Sequence, residues 1–198
     1  MCRDAGVFTD FFLFNFQRYT NSNMLQLSNN MIGIAIMSLR TGGKIATGVE
    51  PIINPHNLKI EAWYCDDMFS KDRLVLLAQD IRDFVPQGIA VNDHDVLTDP
   101  DDLIRLQDIL KLDFRLIGKS VVTNHKRRVG KVTDYAVDTG TLVIQKLYVS
   151  RPMYKSINDS HISIDHSQII EINDKKIIIK EADVKVSQAA RMPAFGTS

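Results

Sequence analysis

The chain has 198 residues, 44% of them apolar, and 24 Lys+Arg balance 24 Asp+Glu, for zero formal net charge. That apolar content excludes wholesale disorder, and charge neutrality excludes a general nucleic-acid coat protein, which needs a large basic excess. The length admits one large domain or two small ones, and two cysteines, Cys2 and Cys65, build neither a disulfide framework nor a four-thiolate zinc site.

Residues 1–23 crowd Phe8, Phe11, Phe12, Phe14 and Phe16 around Leu13. A secretory signal needs an unbroken apolar run of ~7–15 residues. Asp10 and Asn15 interrupt this one, and Gln17-Arg18-Tyr19 follows it. The expectation is a disordered leader upstream of Met24, with an aromatic anchor for a partner or a membrane face as the competing reading. No window supplies the ~20 apolar residues of a transmembrane helix. A reducing cytoplasm, peripheral to a membrane at most, is therefore expected, with both thiols free.

From Met24 onward the pattern is β. Ile34 to Leu39, Lys44 to Ile53, Leu58 to Cys65 and Arg73 to Ala78 read as strands. Pro51 and Pro55 confine the end of the second to a sheet edge, because proline cannot donate to a ladder. Asp99-Pro100-Asp101-Asp102 then starts a predicted helix from Pro100 to Leu110. Its Leu103, Ile104, Leu106, Ile109 and Leu110 are expected to fall on one helical face, so this linker should pack on a neighbouring sheet. Strands resume at Lys119 to Thr123, Val129 to Val137, Leu142 to Val149, His161 to Ile164, Gln168 to Ile172 and Lys176 to Lys180. The polar turn Asn124 to Arg128 and the Asp138-Thr139-Gly140 turn separate the first three. The tail from Ser187 to Ser198 lacks periodicity and is expected to be disordered.

The chain repeats itself. Leu25-Gln26-Leu27 and Ile32-Gly33 recur 85 residues later as Leu110-Lys111-Leu112 and Ile117-Gly118. Gly43-Lys44-Ile45 matches Gly130-Lys131-Val132, and the turn Asn54 to Leu58 matches Asp138 to Leu142. Gly88 to Val91 parallels Lys176 to Ile179, and Trp63-Tyr64 falls where Leu147-Tyr148 lies, which gives one of the first pair a core role. Two copies are too few for a solenoid, so each must bury its own core. The fold class is therefore mainly β, two small barrels at 24–98 and 110–186 joined by a helical linker at 99–109.

These residues resemble the PRC-barrel family. The resemblance is carried by Leu116-Ile117-Gly118-Lys119-Ser120-Val121-Val122, Val129-Gly130-Lys131-Val132-Thr133-Asp134 and Val137-Asp138-Thr139-Gly140-Thr141-Leu142-Val143. Ile164-Asp165-His166-Ser167-Gln168-Ile169-Ile170 resembles the family's turn before its last strands. The first copy departs from the pattern, with Thr41-Gly42-Gly43 in place of the long polar turn. The resemblance implies a module without a catalytic nucleophile. Such barrels cap the H subunit of photosynthetic reaction centres and form the C-terminal domain of the ribosome maturation factor that assists 16S RNA processing. They also occur as stand-alone bacterial proteins, the class this tandem form is most similar to.

Among candidate sites, His125, Lys126, Arg127, Arg128 and Lys131 form the densest basic patch, suited to RNA phosphate or an acidic protein. Residues 24–99 carry 6 Lys+Arg and 10 Asp+Glu, whereas residues 100–198 carry 16 and 12, so the second half is the one that attracts anions. Gly118-Lys119-Ser120 ends like a phosphate loop, but Asp113 stands where that loop needs glycine, and Gly43-Lys44 has Ser38 there. His161, Asp165 and His166 lack a fourth ligand, and His94 with Asp93 and Asp95 reads as a loop. Cys65 has no base nearby in sequence, and burial beside Trp63 would make it inert. The expectation is a non-enzymatic adaptor or assembly module with no cofactor or metal. Its protein partner would dock on the loops and the linker groove. The alternative is an RNA-associated factor with ribosomal protein or rRNA as partner.

Overall fold

The computed structural model describes residues 24–150, 161–173 and 175–181; the phenylalanine-rich leader, the tail and the side chain of His161 lie outside the described residues. The described chain divides into two compact units, residues 24–115 with 136–145 and residues 116–135 with 146–181. No helix among these residues is long and apolar enough to cross a membrane.

The first unit contains β1 (Leu25–Leu27), β2 (Ile34–Ser38), β3 (Lys44–Asn54), β4 (Lys59–Asp67), β5 (Arg73–Leu77), β6 (Ile81–Val85), β7 (Gly88–Val91), β8 (Leu97–Thr98) and a short helix α1 (Gln107–Leu112). Its sheet runs β6-β7-β2-β3-β4-β5-β8, antiparallel except that β7 lies parallel to β2. β2 pairs with β3 only as far as Gly48, so the stretch carrying Pro51 has β4 alone as ladder partner, which suits a residue without an N–H. Trp63, Ile36, Ile60, Leu76 and Ile89 are fully buried, and the Trp63 ring sits tilted against Phe84 with centroids 6.1 Å apart.

The second unit is built from β9 (Ser120–Thr123), β10 (Arg128–Asp138), β11 (Ile144–Ser150), β12 (His161–Asp165), β13 (Ile169–Ile172) and β14 (Lys176–Ile179), in the order β12-β11-β10-β9-β14-β13. Val121, Val132, Leu147, Val149 and Ile177 fill its core. The ends of β10 and β11 with the turn between them, residues 136–145, belong to the first unit.

Both sheets repeat one strand order. The meander β2-β3-β4-β5 corresponds to β9-β10-β11-β12, and the hairpin β6-β7 to β13-β14, with β14 parallel to β9 as β7 is to β2. Hydrogen bonds fix the equivalence. Gly33 N–H donates to Gly48 O and Gly118 N–H to Val132 O, both at 2.8 Å; Ser38 N–H donates to Gly43 O and Thr123 N–H to Arg127 O, both at 2.9 Å. Gly43 therefore matches Arg127. The Gly-Lys pairs at 43 and 130 are out of structural register by three residues, although their sequences align.

Neither sheet closes on itself among the described residues. The first ends in β6 and β8, the second in β12 and β13, so the expected closed barrels are not seen as closed ladders. A 3-10 turn separates the strands that would have to meet, Ala78–Asp80 between β5 and β6 and His166–Gln168 between β12 and β13.

The linker also departs from the single helix its periodicity predicts. Pro100–Asp102 forms a 3-10 turn, with the Asp99 carboxylate accepting from Asp101 N–H at 2.8 Å, and the α-helix starts only at Gln107. Leu103 leaves the helical region (φ −88°, ψ 65°), and the Gln107 side-chain amide donates to Pro100 O at 2.7 Å across the break. The break lets Leu103, Leu106, Ile109 and Leu110 all pack on Ile52, Ala62 and Val75 of β3, β4 and β5. Leu106 is buried there and the other three are partly buried, and that apolar packing offsets the few helical hydrogen bonds lost, a fully buried aliphatic side chain contributing roughly 1.5–3 kcal/mol.

Candidate functional site

The basic turn of the second unit is tight. Lys126 takes the left-handed conformation (φ 62°), its N–H donates to Thr123 O at 2.9 Å, and the Thr123 hydroxyl accepts from Arg127 N–H at 3.2 Å. This geometry turns His125, Lys126, Arg127 and Arg128 into solvent, as predicted, with Lys131 exposed one strand turn further on. The carboxylate of Glu181 engages two of them, Arg127 at 2.5 Å and the His125 ring at 3.5 Å. Among the described residues no carboxylate ion-pairs with Lys126, Arg128 or Lys131. The patch is thus five residues in sequence and, among the described residues, three cations without a carboxylate partner.

The first unit has a larger feature, an open groove of 810 Å³. One wall is β4 and the end of β5, with Lys59, Glu61 and residues 77–79; another is the linker, residues 102–106 with Ile109; the third is the turn Gly140-Thr141-Leu142. That turn is held against β4 by two reciprocal bonds, Ile60 N–H to Leu142 O and Ile144 N–H to Leu58 O, both 2.9 Å. Leu58 and Leu142 each adopt positive φ (54° and 59°), which leucine normally avoids, and both are buried. Asn54 and Asp138 shape these turns by accepting from backbone N–H groups two residues on, His56 at 3.0 Å and Gly140 at 2.8 Å. Ile104, displaced from the packed face by the break in the linker, stands 83% exposed on the groove rim. The groove is mixed in character: Leu77, Leu103, Leu106 and Leu142 are apolar, and Lys59, Glu61, Asp102 and Arg105 carry charges of both signs. The linker's amphipathic pattern announced a packed segment, but which residue the break would expel was not readable from it.

At the far end of β4, Asp67 meets His94, which sequence reasoning placed in a loop with Asp93 and Asp95. His94 Nε2 sits 2.8 Å from Asp67 Oδ1, and the His94 ring meets Phe69 edge-on at 5.2 Å. Asp67 also accepts from Ser70 N–H at 2.8 Å, and its side chain is 2% exposed. Burial pushes its carboxyl up, but hydrogen bonds from His94, Ser70 and Phe69 outweigh that and hold it below the ordinary 3.8. Nearby, Asp93 pairs with Arg40 and accepts from the Ser38 hydroxyl at 3.1 Å. These contacts brace the turns at one end of the first sheet. No group of three or more His, Cys, Asp or Glu side chains converges among the described residues. Asp165, one of the predicted trio, instead caps the 3-10 turn with Gln168 and lies 3.7 Å from Lys146.

Gly118 and Lys119 lie in the turn that leads into β9. Gly118 N–H is committed to Val132 O, and Lys119 Nζ reaches Asn173 O at 3.4 Å. Cys65 is fully buried, its thiol pushed up to about 12 mainly by burial.

No protein-family model and no curated protein matches this chain.

Proposed function

We propose that the chain is a non-enzymatic, cytoplasmic adaptor or assembly module built on two PRC-like units, with the linker groove of the first unit as its protein-docking site. The observation that carries this reading is the groove with Ile104 exposed on its rim, since exposed apolar side chains beside a packed apolar floor are what a partner's anchors can bury. The repeated strand order supports two copies of one module. The buried, high-pKa thiol of Cys65 speaks against a cysteine nucleophile.

The second reading, an RNA-associated factor, rests on Lys126, Arg128 and Lys131, which pair with no carboxylate among the described residues. Three phosphate contacts on single strands give a salt slope of only about −2, so affinity falls roughly 16-fold between about 50 and 200 mM salt. That is too weak a footing to be the main activity.

Capture from lysate at two salt concentrations separates the readings. The adaptor predicts a defined protein whose recovery is lost on Ile104→Asp and unchanged by Lys126→Glu with Arg128→Glu. Recovery of rRNA or ribosomal protein that is salt-sensitive and abolished by the two charge reversals, but indifferent to Ile104→Asp, replaces it with the second.

A further inference from the structure

Met24 is the first described residue, and its position bears on the groove. β1 runs antiparallel to residues 136–138, with Leu25 opposite Asp138, and Thr139 N–H donates to Met24 O at 3.1 Å. That bond holds Met24 one residue short of Gly140, Thr141 and Leu142. Those three residues form one wall of the groove. The leader's point of attachment, Met24, therefore lies beside the groove.

The leader's chemistry suits that place. Between Ala5 and Asn23 its only charges are Asp10 and Arg18, and five phenylalanines stand between Val7 and Gln17. Each phenylalanine can bury roughly 150–250 Å². A groove of 810 Å³ falls in the range of about 300–1,000 Å³ that encloses a compact ligand, enough for a few rings and not for the whole leader. Reach is no obstacle, because the eight residues from Phe16 to Met24 span up to ~28 Å when extended. Tethering also raises the leader's effective concentration to roughly millimolar, so even weak anchors stay engaged.

We propose that the groove is occupied in cis by the phenylalanine-rich leader of this same chain, residues 8–16, which an outside partner must displace. The inference rests on the reading of the groove as a docking site and adds its regulation. The leader acts as a tethered competitor that keeps the groove's apolar floor out of water until a better anchor arrives.

The test uses the full chain with the photoreactive residue p-benzoylphenylalanine replacing Phe12. Irradiation should cross-link position 12 within one chain to residues 77–79, 102–106 or 140–142, at a yield independent of protein concentration. Ile104→Asp, at a side chain 83% exposed and so harmless to folding, should cut that yield about tenfold. In parallel, Phe11→Ser with Phe14→Ser should raise partner capture about tenfold over wild type. Cross-links outside the groove, cross-links between two copies, or a yield indifferent to Ile104→Asp overturn the inference and leave the adaptor reading untouched. Groove cross-links without Ile104-dependent capture by either form sustain the inference and sink the adaptor reading.

Discussion

Two side chains in neighbouring positions of β4 have opposite fates. Cys65 points into the core, its Sγ within 3.4 Å of Trp63 O, and burial holds the thiol at about 12. At about pH 8 the thiolate fraction is then on the order of one part in 10⁴, so alkylating reagents should modify Cys65 only after unfolding. Peptide mass mapping after native and denaturing alkylation checks this; prompt native labelling would contradict the burial. Asp67, two residues on, is also shielded but makes hydrogen bonds that favour its charge. A carboxyl with a lowered folded pKa stabilises the protein above its unfolded value and stops doing so as pH falls through the folded one. Asp67→Asn should therefore cost about 1–2 kcal/mol near pH 6, and the cost should shrink as pH falls below the ordinary carboxylate range, measured by urea midpoints against pH. A gap that stays constant across that range would remove the ionic role. Cys65 was readable from its neighbours, because alternation beside Trp63 implies burial. The Asp67–His94 pair was not, because the partners are 27 positions apart and meet only through the ends of β4 and the loop before β8.

Strands and turns show where repeated sequence and repeated structure part company. The Gly-Lys pairs at 43 and 130 look alike, yet a Cβ at Gly43 would meet nothing nearer than 3.7 Å, whereas one at Gly130 would lie 1.9 Å from Ser150 O. Gly130→Ala should push β10 from β11 and cost at least about 1–3 kcal/mol, while Gly43→Ala should stay within about 0.5 kcal/mol of wild type. Thermal or urea melts of the two variants decide it, and equal effects would mean that Gly130 is not a close approach. Most long strands were legible because alternation and turn residues bounded them. β1, β6 and β8 were not: they have three, five and two residues, and β6 carries Arg82 and Asp83 in its middle. The linker helix was half legible, since its apolar spacing marked the packed face but not the Leu103 backbone that breaks it.

For the molecule as a whole, the repeat divides the sequence more neatly than the compact units do. Residues 136–145 come after the start of the second copy and yet complete the first unit, contributing buried Val137, Leu142 and Ile144. A fragment ending at Arg115 should therefore expose apolar surface, bind a hydrophobic dye and melt with low cooperativity, whereas the full chain does neither. Calorimetry of the fragment beside the full chain is the check, and a sharp, dye-free transition for the fragment would show that the segment is dispensable. Repetition at the level of sequence motifs revealed the duplicated strand order, including the equivalence of Gly88–Val91 with Lys176–Ile179. It was silent on the ten-residue exchange, because a turn sequence such as Asp138 to Leu142 specifies its own bend and not what it lies against.

The parallel contact between β2 and β7 also sets a schedule for synthesis. Ser38 faces Val91, 53 positions later in the chain. At roughly 5–20 residues per second the ribosome takes about 3–10 seconds to supply that neighbour. Until then one edge of the nascent sheet's earliest long hairpin stays open, with Ile36 uncovered, and so the interval in which this protein is most exposed to misassociation falls before its first half has left the ribosome.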